Sequence, residues 1–225
     1  FNGTEDFPKQ DLVNYLEGIG MRFGPDLNAY TSFDETVYML QVPTDSLNQM
    51  ATGFKILENW AHKVSLEGEE IDKERGVVVE EWRLGQGAGQ RIFDKQLPVL
   101  FQGSRYAERL PIGSMDVIQN ASHETVRRFY KDWYRPDLMA VVAVGDFDPA
   151  DIEARIKALF GAIPKATETR DRTVYDAPGH TETLYAIASD PEATRSSVNI
   201  LFKHPTQIDR TAGEYRDNIV ERIYH

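Results

Sequence analysis

The sequence changes hydrophobic period twice before Ser65, and that change restricts the fold more than any other feature. "PKQDLVNYLEGIG" sets Leu12, Tyr15, Leu16 and Ile19 at helical spacing behind Pro8, with Gly20 as a stop. "DLNAYTSFDETVYMLQVP" then alternates polar and apolar side chains, is rich in Tyr, Thr and Val, and holds "SFDE" where a bend fits. Strands are predicted near Leu27 to Ser32 and Glu35 to Val42. "TDSLNQMATGFKILENWAHKVS" returns to helical period, with Leu47, Met50, Phe54, Leu57 and Ala61 on one face and Thr44 or Asp45 as the expected cap. A strand pair between amphipathic helices must bury its apolar side against them, so the expected class is α+β.

Further along, a helix is predicted from Glu69 toward Gly85, its first-turn acids suited to the positive end of the helix dipole. "GQGAGQ" should loosen the chain, and "RIFDKQLPVLF" is helix-like as far as Pro98. "GSMDVIQNASHETVRRFYKDWY" predicts two short helices, the second capped by Ser122 with Glu124 and Thr125 in its first turn. "LMAVVAVGDF" has the continuous apolar run of a buried strand, and "DPADIEARIKALFGAI" predicts a helix with Ile152, Ile156 and Leu159 inward. "PKATETRDRTVYDAPGH" is polar, bears prolines and lacks periodicity, which marks a linker. After it "ETLYAIASD" and "SSVNILFKHP" predict strands, and "TAGEYRDNIVERIYH" a helix. The expected organisation is therefore a first domain over 1–165, a linker over 166–177 and the start of a second α+β domain over 178–225.

Composition narrows the chemistry. The net charge is -11 and the basic residues are scattered among acids, which argues against a nucleic-acid partner. There is no cysteine, so any metal must sit on His, Asp or Glu, and disulfides and cysteine nucleophiles are excluded. The lack of cysteine also suits an oxidising compartment, a bacterial periplasm or envelope being the expectation. No apolar run approaches the ~18 to 20 residues of a membrane span. The chain opens at "FNGTEDFP", without methionine, as if on the loop after an earlier element, so a fragment is expected.

"IDKERGVVVEEW" places Glu74 and Glu81 seven residues apart, near two helical turns, and so on nearly one face. On spacing alone the pair reads as a solvated acidic face, because acids on helices are usually exposed. The five histidines share no metal-ligand spacing and read individually as surface or interhelical residues. Phosphate binding at "GQGAGQ" lacks both a preceding strand and a following lysine.

Taken together and in order, "FNGTEDFP", "LNAYTSFDETVY" and "IDKERGVVVEEW" resemble the pitrilysin and insulinase family of zinc peptidases, which includes the mitochondrial processing peptidase. In that family an inverted zinc motif, HxxEH, precedes an F-x-G-T loop; its histidines bind zinc and its glutamate is the general base. A glutamate on a later helix, in a pattern like ERxxVxxE, is the third protein ligand. The resemblance implies that Glu81 is that ligand and that Glu74 supports the site from behind. Glu80 competes for the ligand role but lies about 100° round the helix. Asn28, Ala29, Tyr30, Thr31 and Ser32 match the family's edge strand, to which an extended substrate adds, and Tyr30 and Phe33 are candidate pocket walls, with core packing as the competing reading. "FGPD" before this strand reads as a short insertion.

The same resemblance implies a mixed, mostly antiparallel sheet with helices on one face, repeated in a second domain. It also implies a homologous second half or subunit and a chamber that admits peptides or unfolded segments. HxxEH would fall just before Phe1, so the chain by itself is expected to hold neither zinc nor a catalytic base. Two functions follow: a zinc metalloendopeptidase in the parent protein, or a non-catalytic partner subunit of a heteromeric peptidase of the same family.

Overall fold

The computed structural model describes residues 3–204 and 209–224, and its fold is α+β. Helix α1 (Asp11–Gly18) buries Leu12 and Leu16 and ends before Gly20, whose φ of 85° is a left-handed conformation that favours glycine. Strands β1 (Leu27–Thr31) and β2 (Thr36–Leu40) form an antiparallel hairpin in which Leu27 faces Leu40 and Thr31 faces Thr36. Helix α2 (Leu47–His62) crosses behind it. Leu12, Leu16, Met21, Leu27, Ile56 and Trp60 make one core, with Tyr38, Leu40 and Val42 packed on its margin.

Two details of α2 differ from the sequence reading. Its cap is Ser46, whose hydroxyl accepts from the Gln49 amide at 3.4 Å, rather than Thr44 or Asp45. Met50 is buried as expected, but the other buried apolar positions are Gly53, Ile56 and Trp60, while Leu47 is exposed and Phe54, Leu57 and Ala61 are half-buried. The reason is that α2 is covered on two sides, by β2 and by a later helix, α7 (Pro149–Phe160), so no single stripe faces the interior. Gly53 permits the close approach to the sheet, since a Cβ there would meet Val42 Cγ1 at 2.9 Å.

Helix α3 (Gly68–Gly85) and helix α4 (Ala88–Leu100) follow with almost no break, and α4 begins within "GQGAGQ" and runs through Pro98. Proline is tolerated there because only the final turn lies beyond it, and the missing N–H removes a single helical bond. Helices α5 (Met115–Asn120) and α6 (His123–Trp133) come next, and the Ser122 hydroxyl accepts from the Thr125 amide at 3.2 Å as a cap. In α7 the Asp148 carboxylate caps the first turn; Ile152 is buried, but Ile156 and Leu159 are only half-buried. The last element is α8 (Ala212–Tyr224).

The expected strands at "LMAVVAVGDF", "ETLYAIASD" and "SSVNILFKHP" form no ladder among the described residues. The apolar run over 139–144 is not buried as expected: Met139, Val141 and Ala143 are half-buried and Val142 and Val144 exposed. What is lacking is a neighbour: no backbone hydrogen bond joins 140–147 to another described segment. A strand is stable only when its N–H and C=O groups are paired sideways, so apolar alternation alone does not make one. The segment around Ala186 is held instead by α4 side chains. Arg91 forms a bidentate ion pair with Asp190 at 2.7 and 2.8 Å, and Lys95 Nζ donates to the Ser189 carbonyl at 3.0 Å. No described helix is long and apolar enough to cross a membrane.

Candidate functional site

Helix α3 presents two sides. Ile71 is buried, and Arg75, Val78, Val79 and Trp82 are half-buried, so that side faces the molecule. Glu74 and Glu81 lie on the flank, exposed, about 20° apart around the axis at 100° per residue. Neither carboxylate has a hydrogen-bond or ion-pair partner among the described residues. Glu80 differs: both Nε and Nη2 of Arg83 donate to its carboxylate, at 3.0 and 2.7 Å. Sequence spacing separated Glu80 from Glu81 by angle; the structure separates them also by occupancy.

The first described residues are stapled to the end of α2. Thr4 bridges to Val64, the Glu5 amide donates to the Lys63 carbonyl at 3.0 Å, and the Ser65 amide donates to the Gly3 carbonyl at 3.1 Å. Asn59, wholly buried, accepts from the Asp6 amide and returns a hydrogen bond from Nδ2 to the Asp6 carboxylate at 2.9 Å. That bond, with the Lys63 ammonium at 3.1 Å, pulls the Asp6 carboxyl down to about 2. No sequence pattern announces this network, because Asp6 and Asn59 lie fifty-three positions apart and meet only through the tertiary fold.

The residues proposed from the sequence as a substrate strand occupy β1 and its turn. The amide of Ser32 donates to the Glu35 carbonyl at 2.9 Å and that of Gln41 to the Asp26 carbonyl at 2.8 Å. With antiparallel alternation, the backbone groups of Ala29 and Thr31 then face away from β2. The Asn28 side chain already accepts from the Ala29 amide at 2.8 Å, which leaves the Ala29 carbonyl and both Thr31 groups as the open edge. Tyr30 is exposed, and its hydroxyl sits 3.5 Å from Glu35. Phe33 is half-buried in a trio with Phe101 and Tyr106, at ring-centroid distances of 6.0 and 4.9 Å. The Asp34 carboxylate anchors the turn, accepting from the Tyr106 hydroxyl and from Arg109 Nη2 at 2.8 Å.

A separate apolar cavity of about 220 Å³ lies between α2, α6 and the N-terminal loop, lined by Trp60, Phe129, Tyr130 and Tyr134 among others. The Tyr130 hydroxyl donates to the Trp60 carbonyl at 2.8 Å, and burial pushes the Tyr130 phenol up. Neither Glu74 nor Glu81 lines it.

A zinc site needs about three protein ligands and an open position. Among the described residues no three His, Asp or Glu side chains come together in a group that could hold a metal. Glu81 fits one arm of such a site, a free carboxylate on a helix flank, and the described residues do not complete it.

Residues 1–98 match the family model described as Insulinase (Peptidase family M16), and residues 120–218 match that described as Peptidase M16 inactive domain. The chain belongs to the insulinase family of peptidases. Among its insulinase-family relatives, the Arabidopsis thaliana "Zinc protease PQQL-like" is 38% identical over 225 residues, which is all of this chain and 24% of the relative. The Escherichia coli (strain K12) "Probable zinc protease PqqL" is 34% identical over 205 residues, covering 91% of this chain and 22% of the relative. The crystal structure of the first half of the periplasmic protease PqqL from Escherichia coli superposes with a TM-score of 0.75 at 36% identity, over 80% of this chain and 38% of that one. The chain thus spans about a quarter of the length of these curated relatives. With a plant protein among them, this kind of insulinase-family sequence is not confined to bacteria.

Proposed function

We propose that the chain is part of a longer zinc metalloendopeptidase that cleaves peptides or unfolded segments, and that Glu81 is the one zinc ligand it contributes. The observation that carries this reading is the contrast on α3: Glu80 is spent on Arg83, whereas Glu81 is exposed and free among the described residues. The relatives named zinc proteases support it. When bound, zinc supplies Lewis acidity toward the scissile carbonyl. Glu81 would bind and help place the metal, and Glu74, on the same flank, would accept a hydrogen bond from a neighbouring ligand.

Substrate would lie along β1, its main chain bonded to the Ala29 carbonyl and the Thr31 amide and carbonyl, with Asn28 and Tyr30 flanking it. Such main-chain pairing tolerates many sequences, which suits a general peptidase. Phe33 and Asp34 would hold the turn that ends this edge rather than touch substrate. The same reading keeps residues 166–177 as the linker to a second domain, a further homologous half as partner, and an envelope compartment, supported by the periplasmic Escherichia coli protein. The test is peptide cleavage by the full-length protein before and after zinc is stripped by a chelator. Activity lost on stripping and regained on adding zinc supports the proposal; activity indifferent to the chelator contradicts it.

A further inference from the structure

Arg75 is the residue of "ERGVVVEE" to which neither catalysis nor zinc assigns a task. Its side chain is largely buried, 17% exposed, on the inward side of α3. Nη1 donates to the carbonyl of Ile118 and Nη2 to the carbonyl of Ala121, while Nε donates to Asp72 at 3.1 Å. Those two carbonyls belong to the C-terminal end of α5, where backbone acceptors lack helical partners and a cation is favoured by the dipole. A second contact completes the joint: Asp72 also meets His123 Nε2 at 2.8 Å, at the start of α6. Gly68 makes room for that ring, since a Cβ there would sit 2.7 Å from His123 Nδ1.

Along the rest of the inward side of α3 the packing is by Ile71 and the half-buried Val78, Val79 and Trp82. Ile71 is its single buried side chain, and in its C-terminal half Val77 and Leu84 are 60% and 80% exposed. Glu81 stands six residues beyond Arg75, about 9 Å along the axis at 1.5 Å per residue. A helix with side chains has a radius of about 5 to 6 Å, so a rotation of roughly 20° carries a carboxylate some 2 Å. That displacement equals a whole zinc–oxygen bond of about 2 Å.

We propose that Arg75 is a positioning residue for Glu81: by bridging the Ile118 and Ala121 carbonyls it fixes the rotation of α3 and thereby aims the Glu81 carboxylate. The inference rests on the reading of Glu81 as a zinc ligand and adds the element that sets its direction.

The test uses the full-length protein and its Arg75→Gln, Arg75→Lys and Glu81→Gln variants. Three properties are read: zinc affinity of the folded protein by competition with a chelator, thermal midpoint, and amide exchange over 76–85. Arg75→Gln should remain folded, exchange faster over 76–85, and bind zinc about tenfold more weakly, as expected for loss of a residue that orients a ligand. Arg75→Lys, which can still donate to one carbonyl, should fall between, and it is the variant to read if Arg75→Gln does not fold. An Arg75 variant with a lowered thermal midpoint but unchanged zinc affinity would reduce the residue to a structural brace and overturn the inference. If Arg75→Gln weakens zinc while Glu81→Gln does not, the Glu81 reading itself is wrong, and the role of Arg75 toward it falls too.

Discussion

The N-terminal layer, from Gly3 to about Tyr134, and the strand-like stretches over 139–147 and 183–204 are both rich in apolar side chains, yet they end in opposite states. In the first, Ile56 and Leu12 are wholly buried and Trp60 is 2% exposed. In the second, Ile187 is 96% exposed, and Val144 and Val198 are each 93% exposed. Composition cannot explain the difference, because both carry alternating or helical apolar patterns. What separates them is lateral company: the first layer supplies each element with a partner inside the chain, whereas the second offers strand-like segments with no described strand beside them. Burial, and the stability that comes with it at about 25 cal/mol per Å² of apolar area, follows pairing rather than hydrophobicity.

The contrast breaks first, if it breaks, on large-to-small substitutions. Trp60→Ala should cost about 4 kcal/mol in urea unfolding, the range for deleting a buried aromatic side chain, while Ile187→Ala should change stability by less than about 0.5 kcal/mol. Equal costs at the two positions would show that the second segment is packed after all. Next in size is Asn59→Ala, which leaves the Asp6 amide without its acceptor and takes one donor from each of the Asp6 and Glu58 carboxylates, and should cost about 2 kcal/mol. Ser122→Ala removes a helix cap that joins the layer's two short helices and should cost about 1 kcal/mol, read from the same urea midpoint.

A pH series sharpens the comparison within the first layer. The Asp6 carboxyl is lowered from its ordinary 3.8 to about 2, chiefly by Asn59 and then by Lys63. A depressed carboxyl stabilises the fold above its unfolded pKa and loses that contribution as pH falls through the folded one. The urea midpoint should therefore drop between about pH 4 and pH 2, and Asp6→Asn should flatten that part of the curve. An unchanged slope in the variant would place the acid sensitivity elsewhere.

How legible the molecule was in its sequence depended on distance along the chain. The hairpin, the span of α3 and the Ser122 cap are set by neighbours within a few residues, and they lie where pattern and propensity put them. The cap of α2 and, apart from Met50, its buried face differ from the pattern because the choice between Ser46 and its neighbours, and between one apolar stripe and another, is made by β2 and α7. At the candidate site, the pairing of Glu74 with Glu81 was visible from helical period alone. Arg75 on the α5 carbonyls and Asp34 under Arg109 were not, since each bridges residues more than forty positions apart. For 139–144 the continuous apolar run predicts a buried strand, and what the run does not announce is the neighbour a strand needs.

Zinc content in the full-length protein, compared between Glu81→Gln and Glu80→Gln, bears most directly on the role given to this chain. The assignment of Glu81 predicts that Glu81→Gln is purified with little zinc while Glu80→Gln, which merely releases Arg83, retains it. Zinc retained in Glu81→Gln, or lost from Glu80→Gln alone, would contradict that assignment.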